Sequence, residues 1–161
     1  MVHRDLAARN VLLKRAFGKV SEAVLVAKVA DFGMARQIKD GGQEYAVNSN
    51  VAIRWAAPEV LRDRCHSSAL DVWAFGVLCW EWFSPGGARP YAELRDNDAV
   101  ADAVVQRRQT LAAPRGCDPA VWAAVQPCFA LEAAERPTFA KLHAALKSLS
   151  AGRPVNYASL K

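Results

Sequence analysis

Within eight residues near the start of the chain, "HRDLAARN" (3–10) gathers a carboxylate (Asp5), two guanidinium groups (Arg4, Arg9), a carboxamide (Asn10) and an imidazole (His3). Guanidinium groups bind anionic oxygens through charge-assisted, often bidentate contacts. A carboxylate or carboxamide beside them can hold or orient a reactant. Two further segments have to be read with this one: "DFG" at 31–33 and "APE" at 57–59. A lone Asp-Phe-Gly carries little information. Three such segments in fixed order define a constellation of charge and positioning.

This order and spacing resemble the protein kinases, whose signature set includes H-R-D-L-x-x-x-N, D-F-G and A-P-E. The resemblance continues through "DVWAFGV" at 71–77 and "ERPTF" at 135–139, so it covers nearly the whole chain. It implies ATP- and Mg²⁺-dependent phosphoryl transfer, a reaction that needs positioning and charge neutralisation more than covalent work by the protein. Asp5 matches the aspartate that accepts the proton of the substrate hydroxyl, a role typically worth about 10²–10⁴-fold in rate. Asn10 and Asp31 match the Mg²⁺-binding pair, and such hard oxygen ligands leave room for phosphates and water. Leu12, Ala30 and Asp31 fall where the family binds its cofactor. Plain strand packing accounts equally well for Leu12 and Ala30.

The stretch after Asp5 selects among kinases. Serine/threonine kinases usually place a lysine two residues after the aspartate; here that position is Ala7, and Arg9 follows four residues after Asp5. The pattern resembles tyrosine kinases, in which a cation from farther along the loop leaves space for a phenol. Trp55 in "IRWAAPE" agrees. Protein substrates with a tyrosine acceptor are therefore implied, with serine/threonine or dual specificity as the alternative. Arg4 beside Asp5 resembles the arginine that pairs with a phosphate placed on the loop, with Tyr45 as its candidate acceptor. An exposed tyrosine without a role is the other reading.

By the same resemblance, Glu59 and Arg136 form a buried ion pair, and Asp71 holds the catalytic-loop backbone. His3, Phe32 and Gly33 serve as framework. The departures are local. Phe129 stands in place of a tryptophan with Pro127 before it, and the Asn10–Asp31 segment is long enough to suggest an extended hairpin.

The elements that must position these residues can be read coarsely. "NVLLKR", a turn around Phe17-Gly18, and "AVLVAKVADFG" predict short strands. Residues 33–50 have no sustained period and read as a long loop. Ser68 with Asp71 three residues later predicts a capping box opening a helix at 69–83, apolar almost all round and therefore central. Further helices are predicted at about 97–108, 119–129 and 137–149. Pro127 should kink or shorten the third, and Pro137 suits the first turn of the last.

The predicted fold class is thus an incomplete α+β protein-kinase-like fold: a mainly α-helical C-terminal lobe with a small β element near its N-terminus. Residues 1–149 form the partial kinase domain, with the activation segment at 31–59 and a loosely held tail at 150–161. The 161 residues, 52% hydrophobic and 23% charged, describe a globular chain. The net charge of +5 is scattered, which argues against a nucleic-acid partner. Cys65, Cys79, Cys117 and Cys128 show neither metal spacing nor a small-domain disulfide pattern, favouring a reducing, cytoplasmic setting.

No signal peptide or membrane span is visible, so a membrane would be reached only through upstream sequence. In the family, the glycine loop, the phosphate-pairing lysine and its glutamate precede the catalytic loop, whereas here that loop begins at His3. The expectation is a chain inactive alone, with an apolar flank open to aggregation or to a partner. A fragment of an active kinase, a lobe-only pseudokinase acting as an interaction module, and an enzyme completed by another chain all fit that pattern.

Overall fold

A computed structural model describes residues 1–17, 23–38, 42–45 and 51–150. The turn expected at Phe17-Gly18 falls largely outside the described residues, as do 39–41 and 46–50 of the expected loop and 151–161 of the expected tail.

Val11–Phe17 (β1) and Ala23–Val29 (β2) are Val- and Leu-rich stretches that pair antiparallel, in register from Val11↔Val29 to Phe17↔Ala23. The hairpin leaves both faces open. Leu12, Leu13, Leu25, Val26 and Val29 are all exposed. At its base, Ala8, Val11, Leu13, Leu78 and Trp82 line an apolar cleft of about 140 Å³.

The stretch predicted as a long loop contains short regular pieces. Phe32–Met34 makes one 3₁₀ turn, and Arg36 bridges to Val2 through backbone bonds of 2.8 and 3.0 Å. Glu44–Tyr45 (β3) pairs with Cys65–His66 (β4). Two-residue strands are too short to produce a period, which is why the sequence pattern misses them.

Helix α1, Pro58–Asp63, opens with proline in its first turn and closes at Arg64 in the left-handed region, φ 55°. Helix α2, Ser68–Phe83, is the central element, with Leu70, Val72, Trp73, Val77 and Leu78 buried around it. The predicted capping box is corrected. Ser67 is the cap, its hydroxyl accepting from the Ala69 N–H at 3.3 Å, and Ser68 is already helical. Asp71 takes no part in capping, because its carboxylate is occupied by the backbone of His3 and Arg4.

Gly76 permits the closest approach in the core. A Cβ there would lie 2.9 Å from both the Cys128 Cβ and the Phe129 ring. Helix α3, Asn97–Val105, is capped by Asp96 and stops short of the predicted 108; Arg108, at φ 53°, lies in the left-handed region just beyond its end. Helix α4, Pro119–Val125, gives way to a 3₁₀ turn at Gln126–Phe129, where Pro127 has no N–H to continue the α-helical ladder. Helix α5, Phe139–Ser150, begins after Thr138, whose Oγ1 accepts from Lys141 N–H at 3.3 Å. Pro137 therefore precedes the cap and does not occupy the first turn.

The main core joins α1, α2, α3 and the 126–129 turn through Val60, Trp73, Val77, Val100, Val104 and Phe129. No described helix is long and apolar enough to cross a membrane.

Candidate active site

The 3–10 loop is built onto α2 from below. Asp71, buried, accepts the His3 N–H at 2.7 Å and the Arg4 N–H at 2.9 Å, one on each carboxylate oxygen. Burial pushes the Asp71 carboxyl above the usual carboxylate range, and the two backbone donors work against that shift. Arg4 adopts φ 71°, a conformation unfavourable for a side chain of its kind, and the Asp71 bonds hold it there.

His3 joins the loop to the segment at 31–33. Its Nε2 lies 3.0 Å from the Ala30 carbonyl, which can only accept, and its Nδ1 accepts the Asp5 N–H at 3.3 Å. The two contacts together place the ring proton on Nε2. The imidazole also meets the Phe32 ring edge-on at 4.9 Å. His3 and Phe32 thus dock the two segments against each other.

Asn10, Asp5 and Arg9 meet farther along the loop. Asn10 Nδ2 donates to the Asp5 backbone carbonyl at 2.7 Å and to Asp5 Oδ2 at 2.8 Å. That leaves the Asn10 carboxamide oxygen for other use. Arg9 pairs with the other Asp5 carboxylate oxygen. The Ala30 N–H donates to the Asn10 carbonyl at 2.8 Å, so Asp31 follows directly after Asn10's own backbone partner. Asp31 stands at φ 60°, with Oδ1 accepting the Gly33 N–H at 3.2 Å. Asn10 and Asp31 thus bring neutral and anionic oxygens to one end of the hairpin, a hard donor set that suits Mg²⁺. Continuing the ladder register, Leu12 and Ala30 share a face, Leu12 exposed and Ala30 half-buried.

The other expected residues lie elsewhere in the fold. Arg136, whose side chain is fully buried, donates from both terminal nitrogens to Glu59 at 2.7 Å and also to the carbonyls of Ala69, Ala130 and Leu131. Tyr45 is exposed, opposite Cys65, and borders a cleft of about 530 Å³ with Arg62 and Arg108. Asp5 does not line this cleft. Arg4 lines a different pocket together with His66, and no described hydrogen bond joins it to Tyr45. Burial first, and the Arg4 charge second, hold the His66 imidazole below its usual range. Burial pushes the Cys79 and Cys128 thiols up to about 12, which keeps them protonated.

Two residues of this architecture are not singled out by the motifs, although Arg54 lies within "IRWAAPE". Arg54, 2% exposed, donates to the carbonyls of Pro90, Tyr91 and Leu94 and ties the end of the 31–59 segment to the chain before α3. Glu81 lies near the end of α2 and accepts, on one oxygen, the Ala8 N–H and the Trp55 indole N–H, both at 2.9 Å. The Arg9 guanidinium lies 4.7 Å above the same Trp55 ring. An acidic residue inside "CWEWF" was the only hint, since a carboxylate in an apolar helix needs a partner.

Comparison with known proteins agrees with this geometry. A family model described as protein tyrosine and serine/threonine kinase matches residues 1–146. Among curated relatives, the chain is 38% identical over 150 residues to ephrin type-A receptor 8 of Mus musculus, covering 92% of this chain and 14% of the receptor. It is 39% identical over 142 residues to tyrosine-protein kinase csk-1 of Caenorhabditis elegans, 88% of this chain and 24% of that kinase. It is 41% identical over 143 residues to tyrosine-protein kinase Shark of Drosophila melanogaster, 88% of this chain and 14% of that protein. The chain therefore spans about a quarter or less of these relatives' length. Kinases of this kind use ATP and Mg²⁺ and act on proteins. With its motif segments, its helical body and these relatives in agreement, the chain belongs to the protein tyrosine and serine/threonine kinase family, as a tyrosine-kinase-type catalytic sequence.

Proposed function

We propose that this chain carries the catalytic and metal-binding groups for phosphoryl transfer from Mg²⁺-bound ATP to a tyrosine hydroxyl in a protein. The observation that carries the reading is the Asn10–Asp5 bond at 2.8 Å, with Asp31 brought alongside by the Ala30–Asn10 backbone bond. Bound Mg²⁺ would neutralise phosphate charge, and Asn10 and Asp31 would hold it. Asp5 then orients the phenol and takes its proton, while Asn10 fixes the rotamer of Asp5. Arg9 supplies the cation beside the transferred group from four residues along the loop. With alanine and no lysine two residues after Asp5, Arg9 is the cation of this loop, which favours tyrosine over serine. Leu12 and Ala30 contribute apolar surface toward the adenine. A phosphate on Tyr45 would face Arg62 and Arg108, which border the same cleft, and would pair with Arg4 after a rearrangement of the β3–β4 pair.

Manganese(II) complexed to ATP, at millimolar concentration, tests the metal assignment on the isotope-labelled chain. Its paramagnetism should broaden the amide signals around Asn10 and Asp31 and spare those of α5. Asp31→Asn should abolish the effect. Broadening centred elsewhere, or unchanged in the variant, would refute the assignment. Paired peptides differing only in Tyr or Ser, added to this chain joined to the glycine loop and lysine strand that precede the catalytic loop in the family, test the acceptor: phosphate found on the serine peptide at an equal rate removes the tyrosine reading.

A further inference from the structure

We propose that Glu81 is a positioning residue, which sets the placement of Arg9 against Asp5 by tying the catalytic loop and the activation segment to one carboxylate oxygen. The inference rests on the phosphoryl-transfer reading for the purpose of the arrangement, though not for the arrangement itself.

The contacts form a chain. Oε2 of Glu81 accepts the Ala8 N–H and the Trp55 Nε1–H, both at 2.9 Å. Ala8 is the residue before Arg9, and it opens the 3₁₀ turn that ends at Asn10. Trp55 closes the 3₁₀ turn Ile53–Trp55 of the other segment. The indole, held at its nitrogen, presents its face to the Arg9 guanidinium at 4.7 Å, and the guanidinium reaches Asp5. Arg9 is 44% exposed in its side chain. An ion pair at such a site is weakly held by itself, because water competes for both charges and a long side chain resists being fixed. The aromatic face beneath it restricts the guanidinium to one side. Glu81 decides where that face lies.

The consequence is a dependence between two segments at the Arg9 end of the loop, distinct from the His3–Phe32 contact at its other end. If the activation segment moves, the indole leaves its carboxylate and the cation beside Asp5 loses its support. If it docks, the cation is placed. A charge-assisted hydrogen bond at one half-buried oxygen is therefore the coupling element.

The test uses the whole 161-residue chain, ¹⁵N-labelled, and reads three signals: the Arg9 Nε, the Trp55 indole N–H and the Trp73 indole N–H. The last, in the core, reports folding. In Glu81→Ala, the Trp55 indole proton should exchange with solvent about tenfold faster, as expected for loss of about one hydrogen bond of this class. The Arg9 Nε signal should lose its ring-current displacement, while Trp73 keeps its position. Glu81→Gln retains a carbonyl acceptor and should restore both signals. Arg9 and Trp55 signals unmoved in folded Glu81→Ala, or unrestored in Glu81→Gln, overturn the proposal. If Glu81→Ala unfolds, Trp55→Phe decides, since it removes the indole donor and leaves the Glu81–Ala8 bond untouched. The Ala8 amide should then stay in place and Arg9 Nε should become mobile on the nanosecond scale; an Arg9 as ordered as in the parent overturns the proposal. None of these signals requires phosphate transfer, so they judge Glu81 separately from the manganese experiment.

Discussion

Glu59→Leu should be among the most damaging single changes outside the catalytic loop. The Arg136 side chain has no solvent exposure, and that of Glu59 only 12%. Their two bonds, both 2.7 Å, are the bidentate geometry in which a guanidinium and a carboxylate neutralise one another. Removing the carboxylate strands a buried cation, for which a loss of about 3–5 kcal/mol is typical. The three carbonyls of Ala69, Ala130 and Leu131 remain bonded to Arg136, and the Trp73 ring lies 5.1 Å below it, so the stranded charge is partly solvated by dipoles. The lower half of the range, about 3–4 kcal/mol, is therefore expected for Glu59→Leu. Arg136→Met should cost at least as much, because the three carbonyls then lose their donor at about 1 kcal/mol each in addition to the broken pair. Urea unfolding of the chain, followed by tryptophan fluorescence, measures both; a domain at the lower end of ordinary stability, about 5 kcal/mol, has room for only one such loss. Glu59→Gln, which keeps one acceptor, should fall between parent and Glu59→Leu. A cost for Glu59→Leu below about 1 kcal/mol, the size of an exposed pair, would show that water reaches the guanidinium and that the reasoning from burial is wrong.

Gly76→Ala should lower the melting temperature by forcing the Gln126–Phe129 turn away from α2, since the new methyl meets Cys128 and Phe129 at 2.9 Å; overpacking of this kind costs about 1–3 kcal/mol, and a more stable variant would mean the turn yields freely. His66→Phe should flatten the acid side of the stability curve. The folded imidazole titrates below its ordinary value, so its contribution is complete above about pH 6.5 and is lost as pH falls below that. Melting curves of parent and variant that stay parallel from pH 7.5 to 5 would contradict it.

Much of the site was legible because its groups are adjacent in sequence. Asp5, Arg9 and Asn10 occupy one loop, and the Asn10–Asp5 bond spans only five positions. Asp31 is brought in by a hairpin whose Val and Leu content announces strands. Helix α2 announces itself by apolar residues on every side, and Pro127 by its missing N–H. The losses have physical causes too. Ser67 and Ser68 are chemically equal candidates for a cap, and only the loop backbone bound to Asp71 settles which one serves. The β3–β4 pair has two residues a side and no period. Arg54 spends its donors on three backbone carbonyls about 40 positions away, and carbonyls carry no side-chain signature. Glu81 meets Ala8 across 73 positions.

Asp71 and Glu81 together explain why an otherwise apolar helix keeps two carboxylates. Asp71 holds the N–H groups of His3 and Arg4, and Glu81 holds that of Ala8, so the catalytic loop is fastened to α2 at both ends. Ten helical residues separate the two anchors, about 15 Å of rise. Five residues of loop can reach at most about 17 Å when extended. Few backbone paths satisfy both fastenings. The positive φ of Arg4 belongs to the path adopted, and it persists because the two Asp71 bonds oppose its relaxation. Asp5 sits between the anchors, and its carboxylate is aimed by Asn10 on one side and Arg9 on the other. The placement of the site therefore comes less from the loop's own conformation than from the central helix, whose two carboxylates fasten it at both ends.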